Sequence, residues 1–173
     1  MITDQQKGNM SIRGGEKDDL PFIISTWLKS YRQAGYGVKL IRQDVFFRHF
    51  HDLIESILNS AEIYIAAVKD SPSTIVGYLV AGEEVLHYAY VKSPFRRMGI
   101  ATELLTLLPQ SVKEFSCYCD SSAAAGIWRL RPHLVYNPFR LINPGKEPSN
   151  ENRANRSHSG EFDVTPGFDF RES

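Results

Sequence analysis

The apolar residues of this chain change period once, near residue 60, and that change constrains its fold more than any other feature. Before it, Leu20, Ile23, Ile24, Trp27, Leu28 and Tyr31 recur at offsets of 0, 3, 4, 7, 8 and 11, which is one stripe along a helix. Asp18, Asp19 and Pro21 stand where a first helical turn tolerates acids and proline. A second stripe follows, with Phe46, Phe50, Leu53, Ile54, Ile57 and Leu58 on one side. Beyond residue 60 the apolar runs become short, β-branched and aromatic. Ile63–Val68, Ile75–Ala81 and Val85–Val91 are separated by Lys69–Thr74, which contains Pro72, and by Gly82-Glu83-Glu84. That pattern predicts two consecutive hairpins.

The flanking segments extend this order. Met10 to Arg13 reads as a short strand closed by Gly14-Gly15, and residues 33–43 as a loop. Gly99 opens a buried helix through Leu104, Leu105, Leu107 and Leu108, which Pro109 ends. Phe115–Cys119 reads as a strand, Asp120, Ser121 and Ser122 cap a short helix through Ala125, and His133–Tyr136 is a last strand before Asn137-Pro138. The expected class is α+β, or mixed α/β, with a parallel crossover across the Gly99 helix.

The 173 residues fit one domain, expected over 10–142. Residues 1–9 are a flexible N-terminus on this reading. Residues 143–173 have too little apolar content to offset their own ordering and read as a flexible polar tail. Phe162, Phe168 and Phe170 stand out within it. Twenty Lys and Arg balance twenty Asp and Glu, so no global field draws the chain to nucleic acid or anionic membrane. Arg129, Arg131, His133 and Arg140, interleaved with Trp128, Tyr136 and Phe139, are the one local basic cluster, and nucleic acid is a minority reading of it. Cys117 and Cys119 cannot make a disulfide framework and read as two buried thiols. His49 and His51 point to different helix faces, and no metal site is expected. No run approaches a membrane span and no signal core opens the chain, so a cytoplasmic protein is expected.

Chemistry concentrates in His87-Tyr88-Ala89-Tyr90-Val91-Lys92-Ser93-Pro94-Phe95-Arg96-Arg97-Met98-Gly99-Ile100-Ala101. A strand leads through a turn into a helix, whose first N–H groups lack intrahelical partners and suit a phosphate. Small residues there let a ligand approach the backbone. Arg96-Arg97-Met98-Gly99-Ile100-Ala101 resembles the Gln/Arg-x-x-Gly-x-Gly/Ala acyl-CoA motif of the GNAT (Gcn5-related N-acetyltransferase) superfamily. The resemblance covers roughly residues 10–120. It implies a central, mostly antiparallel sheet with splayed strands, flanked by helices. It further implies that Arg96, Arg97, Met98, Gly99, Ile100 and Ala101 bind the pyrophosphate of acetyl-CoA, the acyl donor. The strand edge around Tyr90 and Val91 would pair with the pantetheine arm, and an amine acceptor, small molecule or protein, would attack the thioester directly.

Candidates for the proton transfers are Glu83 and Glu84, in a region where the family keeps a carboxylate base, and His87, whose ordinary pKa lies near neutrality. The family's general-acid tyrosine falls on Trp128 or Ile127 here, depending on the alignment, which leaves Tyr118 and Tyr136 as substitutes. Residues after Ile142 look too few for the family's closing strand. The alternative is therefore a catalytically inactive GNAT-like protein that binds or regulates a protein partner. Arg32, Lys39 and Arg42 in and beside the loop 32–43 suggest an acceptor carrying a negative group.

Overall fold

The structure, a computed structural model, describes residues 9–34, 37–117 and 121–142. Along the chain run β1 (Met10–Gly14), α1 (Leu20–Ala34), α2 (Gln43–Leu58), β2 (Glu62–Val68), β3 (Ser71–Ala81), β4 (Val85–Val91), α3 (Ile100–Thr106), β5 (Glu114–Phe115), α4 (Ser121–Leu130), β6 (Val135–Tyr136) and α5 (Phe139–Ile142). They build one six-stranded sheet in sequence order. β1 to β4 form an antiparallel meander, and β5 and β6 add in parallel, each after a helical crossover. The mixed α/β, mostly antiparallel architecture is the expected one.

Strand alternation divides the core between the two sheet faces. On one face Tyr78, Val80 and Tyr88 meet the stripes of α1 and α2, including Ile23, Trp27, Phe46 and Ile54. Trp27 stacks on Tyr88 at 4.7 Å between ring centres. The hydroxyls of Thr26 and Ser30 meet those of Tyr78 and Tyr88 at 3.1 and 2.6 Å, so two buried phenols keep polar partners. On the other face Leu79, Leu86 and Phe115 pack against Leu104 and Leu105 of α3 and Ile127 of α4. Arg131 closes α3: its guanidinium donates to the carbonyls of Leu105 and Leu108 at 2.9 and 3.0 Å, which the helix end leaves without intrahelical partners.

Several boundaries differ from expectation, each for a local reason. β3 begins at Ser71, so the first hairpin turns over two residues and Pro72 lies in the strand. The pairing is irregular there, at Ala66 to Val68, and an irregular strand start tolerates a proline. α4 runs on to Leu130 because Ile127 extends its buried stripe beyond Ala124. α5 was not anticipated, although Asn137-Pro138 is a helix-start pair. The Asn137 side chain accepts the Phe139 N–H at 3.2 Å. The expected tail, residues 1–8 and the Cys119 thiol lie outside the described residues; Cys117 is buried. Among the described residues, no helix is long and apolar enough to cross a membrane.

Arg13 of β1 ties the sheet edge to the start of α1. Its guanidinium donates twice to the Asp19 carboxylate, at 2.6 and 2.8 Å, while that carboxylate also accepts the Glu16 N–H. The hydrogen bonds from Arg13 hold the Asp19 carboxyl below its ordinary range. A depressed carboxyl contributes stability above the unfolded pKa and loses it as pH falls through the folded one. Asp19→Asn should therefore lower stability by about 2 kcal/mol at pH 7. Urea titrations of both proteins should show that gap closing below about pH 4.

Candidate functional site

The register of β4 against β3 shifts by one: Tyr88 faces Val80, whereas Leu86 faces Ala81. His87 is the extra residue of a β-bulge. The bulge decides which backbone groups face β5. Before it, the carbonyls of Glu84 and Leu86 accept from the Lys113 and Ser116 amides at 2.9 and 3.0 Å. After it, Lys92 donates to the Val76 carbonyl at 2.8 Å. By the alternation of an antiparallel ladder, Tyr90 and Tyr88 then direct their groups at β3, and those of Ala89 and Val91 point away from it. Among the described residues, pairing with β5 ends at Leu86 and Phe115. The rest of β4 borders a cleft instead.

That cleft, about 300 Å³, is bounded by Ala89, Tyr90 and Val91 of β4, by the turn that follows, by α3, and by Cys117 and α4. From the turn come Phe95, Arg96, Arg97 and Gly99. Arg97 and Gly99 both take left-handed backbone angles, φ 64° and 78°. For an arginine that conformation costs about 1 kcal/mol, so the turn holds a strained cation at the cleft's rim. Arg96 donates from Nε to the Val91 carbonyl at 3.1 Å, bracing the free edge of β4. α4 contributes Ala123 and Gly126, and a Cβ placed on Gly126 would meet nothing within 4 Å. Beneath, Gly77 lets the layers close: a Cβ there would lie 2.8 Å from the Tyr90 carbonyl oxygen and 3.3 Å from Ile100.

Of the residues singled out in the sequence, Tyr90, Val91, Arg96, Arg97, Gly99, Ile100 and Ala101 meet at this cleft. Met98 packs against the core on the α3 side. Glu83 and Glu84 lie at the other end of β4, roughly 15 Å of strand away from Ala89. The Glu84 carboxylate faces Lys113 at 3.4 Å and Arg140 at 4.0 Å. His87 is buried, with Nδ1 3.1 Å from the Ser116 hydroxyl. Burial, and then the Arg140 charge, push its pKa down to about 4. Tyr118 lies outside the described residues. Trp128 donates its indole N–H to the Leu134 carbonyl, and Ile127 borders the cleft.

Two expectations about cations need correction. Arg32 donates to the Val38 carbonyl and lies over the Phe46 ring, while Arg42 pairs with Asp44 at 2.7 Å. Arg32 thus has partners within the α1–α2 connection, and Arg42 pairs at the exposed surface with a near neighbour in sequence. The basic cluster near the C-terminus is likewise divided, since Arg131 caps α3 and Arg140 is buried beside Glu114 at 3.0 Å. Arg129 does reach the cleft, as do Ala89, Thr102 and Ala123. Arg129 belongs to the basic cluster and Ala89 to the His87–Ala101 stretch, while Thr102 and Ala123 were not expected at the site; the small residues Ala123 and Gly126 are a readable sign of close approach. A larger groove of about 790 Å³ runs between α1 and α2. It lies across the sheet from α3. Beside it the ligand atoms of His51, Asp52 and Glu55 come within 4.8 Å of one another on the solvent side of α2.

No protein-family model matches the chain, and no curated protein sequence matches it. Solved structures do. A GCN5-related N-acetyltransferase from Rhodopseudomonas palustris superposes with a TM-score of 0.53 at 15% identity, over 76% of this chain and 82% of that one. YjaB from Escherichia coli, in its apo form, gives 0.51 at 16% identity, over 69% and 79%. At such identities the likeness is one of fold.

The burial of His87 has a measurable signature. Its folded pKa lies below the unfolded value of about 6.5, so the unfolded chain takes up a proton first as pH falls. Stability from this group is complete above that value and is lost as pH falls toward 4. Between pH 7 and pH 4.5 the protein should lose about 2–3 kcal/mol that His87→Gln, which cannot titrate, does not lose. Denaturant titrations at the two pH values check it, and equal losses would mean that the imidazole is already solvated.

Proposed function

From a GNAT-like fold bearing this cleft, we propose that the protein is an acyl-CoA-dependent N-acetyltransferase that moves an acetyl group from acetyl-CoA to an amine. The observation that carries this reading is the stretch of β4 edge, without a neighbouring strand among the described residues, that runs into the Arg96–Ala101 turn. Acetyl-CoA supplies an acetyl group activated as a thioester. The backbone groups of Ala89 and the N–H of Val91, aimed away from β3, suit the amides of an extended pantetheine arm. The turn's backbone and the guanidinium groups of Arg97 and Arg129 suit its phosphates. α3 has only seven residues, so cationic side chains carry more of that attraction than its dipole does. Direct attack forms the C–N bond as the C–S bond breaks; the amine gives up a proton and the departing thiolate takes one.

A second reading is a GNAT-like binding protein without catalysis. Among the described residues, no carboxylate and no imidazole borders the cleft, and the candidate groups Glu84 and His87 are held elsewhere. The two readings separate at the amine: both allow acetyl-CoA binding, and only the first gives amine-dependent thiol release across a panel of small and peptidyl amines.

Acetyl-CoA at 100 times its dissociation constant should add about 2.7 kcal/mol of stability. For a chain of this length that raises the melting temperature by roughly 5–10 °C. Gly99→Glu should abolish the shift by setting bulk and negative charge against the phosphates, with Gly99→Ala controlling for backbone strain of about 1 kcal/mol. Arg97→Gly accepts the left-handed turn without strain. It should weaken binding about tenfold, the loss of one charge-assisted contact, while leaving the unliganded melting temperature unchanged or higher. No shift at millimolar acetyl-CoA would defeat the cofactor reading.

A further inference from the structure

Away from the cleft, α2 draws three metal-ligating side chains together. One ligand atom each from His51, Asp52 and Glu55 lies within 4.8 Å of the other two. The His51 Nδ1 stands 3.6 Å from a Glu55 carboxylate oxygen and 3.9 Å from one of Asp52. His51 and Glu55 are one helical turn apart and share a face, and Asp52 reaches in from the adjoining side. These separations are too long for hydrogen bonds. They suit a shared cation better: ligands about 2.1 Å from a zinc ion in tetrahedral array stand about 3.4 Å from one another. The side chains are 45%, 75% and 55% exposed, so small rotations can close the remaining distance.

The donor set decides which cation fits. Carboxylates alone suit hard ions such as magnesium, which keeps most of its water. An imidazole nitrogen beside them shifts the preference to zinc and its first-row neighbours. A neutral imidazole and two carboxylates also carry two negative charges, which balance a divalent ion. The other imidazole of α2, His49, points to a different face, so the partners of His51 are carboxylates. Arg48, one turn before Asp52, approaches Asp44 at 4.0 Å. His51 and Glu55 both line the groove of about 790 Å³ between α1 and α2. Three ligands from one helix leave a coordination position open, for water or for a donor lying in that groove.

We propose that His51, Asp52 and Glu55 form a binding site for one zinc ion, or a first-row divalent cation of the same ligand preference, at the lip of the α1–α2 groove. The site is separate from the acetyl-CoA cleft, because the groove lies across the sheet from α3.

Calorimetric titration of zinc chloride into the full chain tests this, with magnesium chloride run alongside. The parent should take up zinc at this site, and His51→Gln and Glu55→Gln should each weaken that uptake about tenfold or more. Magnesium should give no comparable response. Because the substituted side chains are exposed, circular dichroism and the response to acetyl-CoA should match the parent's. Other thiols and imidazoles of the chain also take zinc, so the difference between parent and variant is the measure. Equal zinc affinity in the parent and His51→Gln would overturn the proposal. A magnesium response equal to that of zinc would overturn it too, since it would reduce the cluster to an acidic patch that attracts any cation.

Discussion

One extra residue in β4 reverses the direction of every backbone group that follows it. Up to Leu86 the strand uses its carbonyls to hold β5; from Ala89 on, the groups turned from β3 have no neighbouring strand in the described sheet. The bulge twists the strand, and the described parallel ladder ends after two residue pairs. Among the described residues, the unpaired edge and the cleft beside α4 lie where that reversal begins.

Such a fork must be held, since a strand edge left free inside a domain invites slippage. Around it lies a compact set of polar contacts. His87 of the bulge meets Ser116 across the fork at 3.1 Å. On β5 the Glu114 carboxylate takes Arg140 of α5 at 3.0 Å and the Asn137 amide at 2.8 Å. Arg140 also approaches Glu84, at 4.0 Å. Three elements, β4, β5 and α5, are therefore joined where the ladder stops. Buried ion pairs contribute little net stability once desolvation is counted. Their effect here is to fix one geometry. In the sequence, a carboxylate and an imidazole near a splayed strand suit chemistry; in the fold Glu84 lies near Lys113 and Arg140, and His87 meets Ser116 across the fork.

The sequence disclosed what depends on periodicity. The helical stripes from Leu20 and Phe46 and the β-branched runs from Ile63 to Val91 became α1, α2 and the meander, because each buries one face against a neighbouring layer. The Arg96–Ala101 turn was legible from its glycine and arginines. What stayed hidden depends on register. Nothing in His87-Tyr88-Ala89 announces that the first of these is the extra residue of a bulge, and from that follows the choice of Ala89 over Tyr90 as the residue whose backbone turns to the cleft. Cations were also misread. Arg32, Arg131 and Arg140 have the composition of binding groups, but each lies within reach of carbonyls or a carboxylate that only the fold brings near.

The cleft's own chemistry bears on the choice between catalyst and binder. Its rim is cationic and its walls are apolar or small, which is what a polyanionic ligand with a long neutral arm requires. Proton transfer requires something else, a group whose pKa lies near the working pH within reach of the amine. Of the side chains that border the cleft, Tyr90 is stacked against Tyr78, at 5.4 Å and 29° between the rings, with Phe22 edge-on to it. Its ring thus belongs to the α1 side of the sheet. An amine that enters already neutral, or loses its proton to water, asks nothing more of these residues than orientation. In that case rate would follow the free-amine fraction of the acceptor, rising with pH through the acceptor's own pKa, with no inflection from the protein; an inflection near neutrality independent of the acceptor would require a base beyond those bordering the cleft.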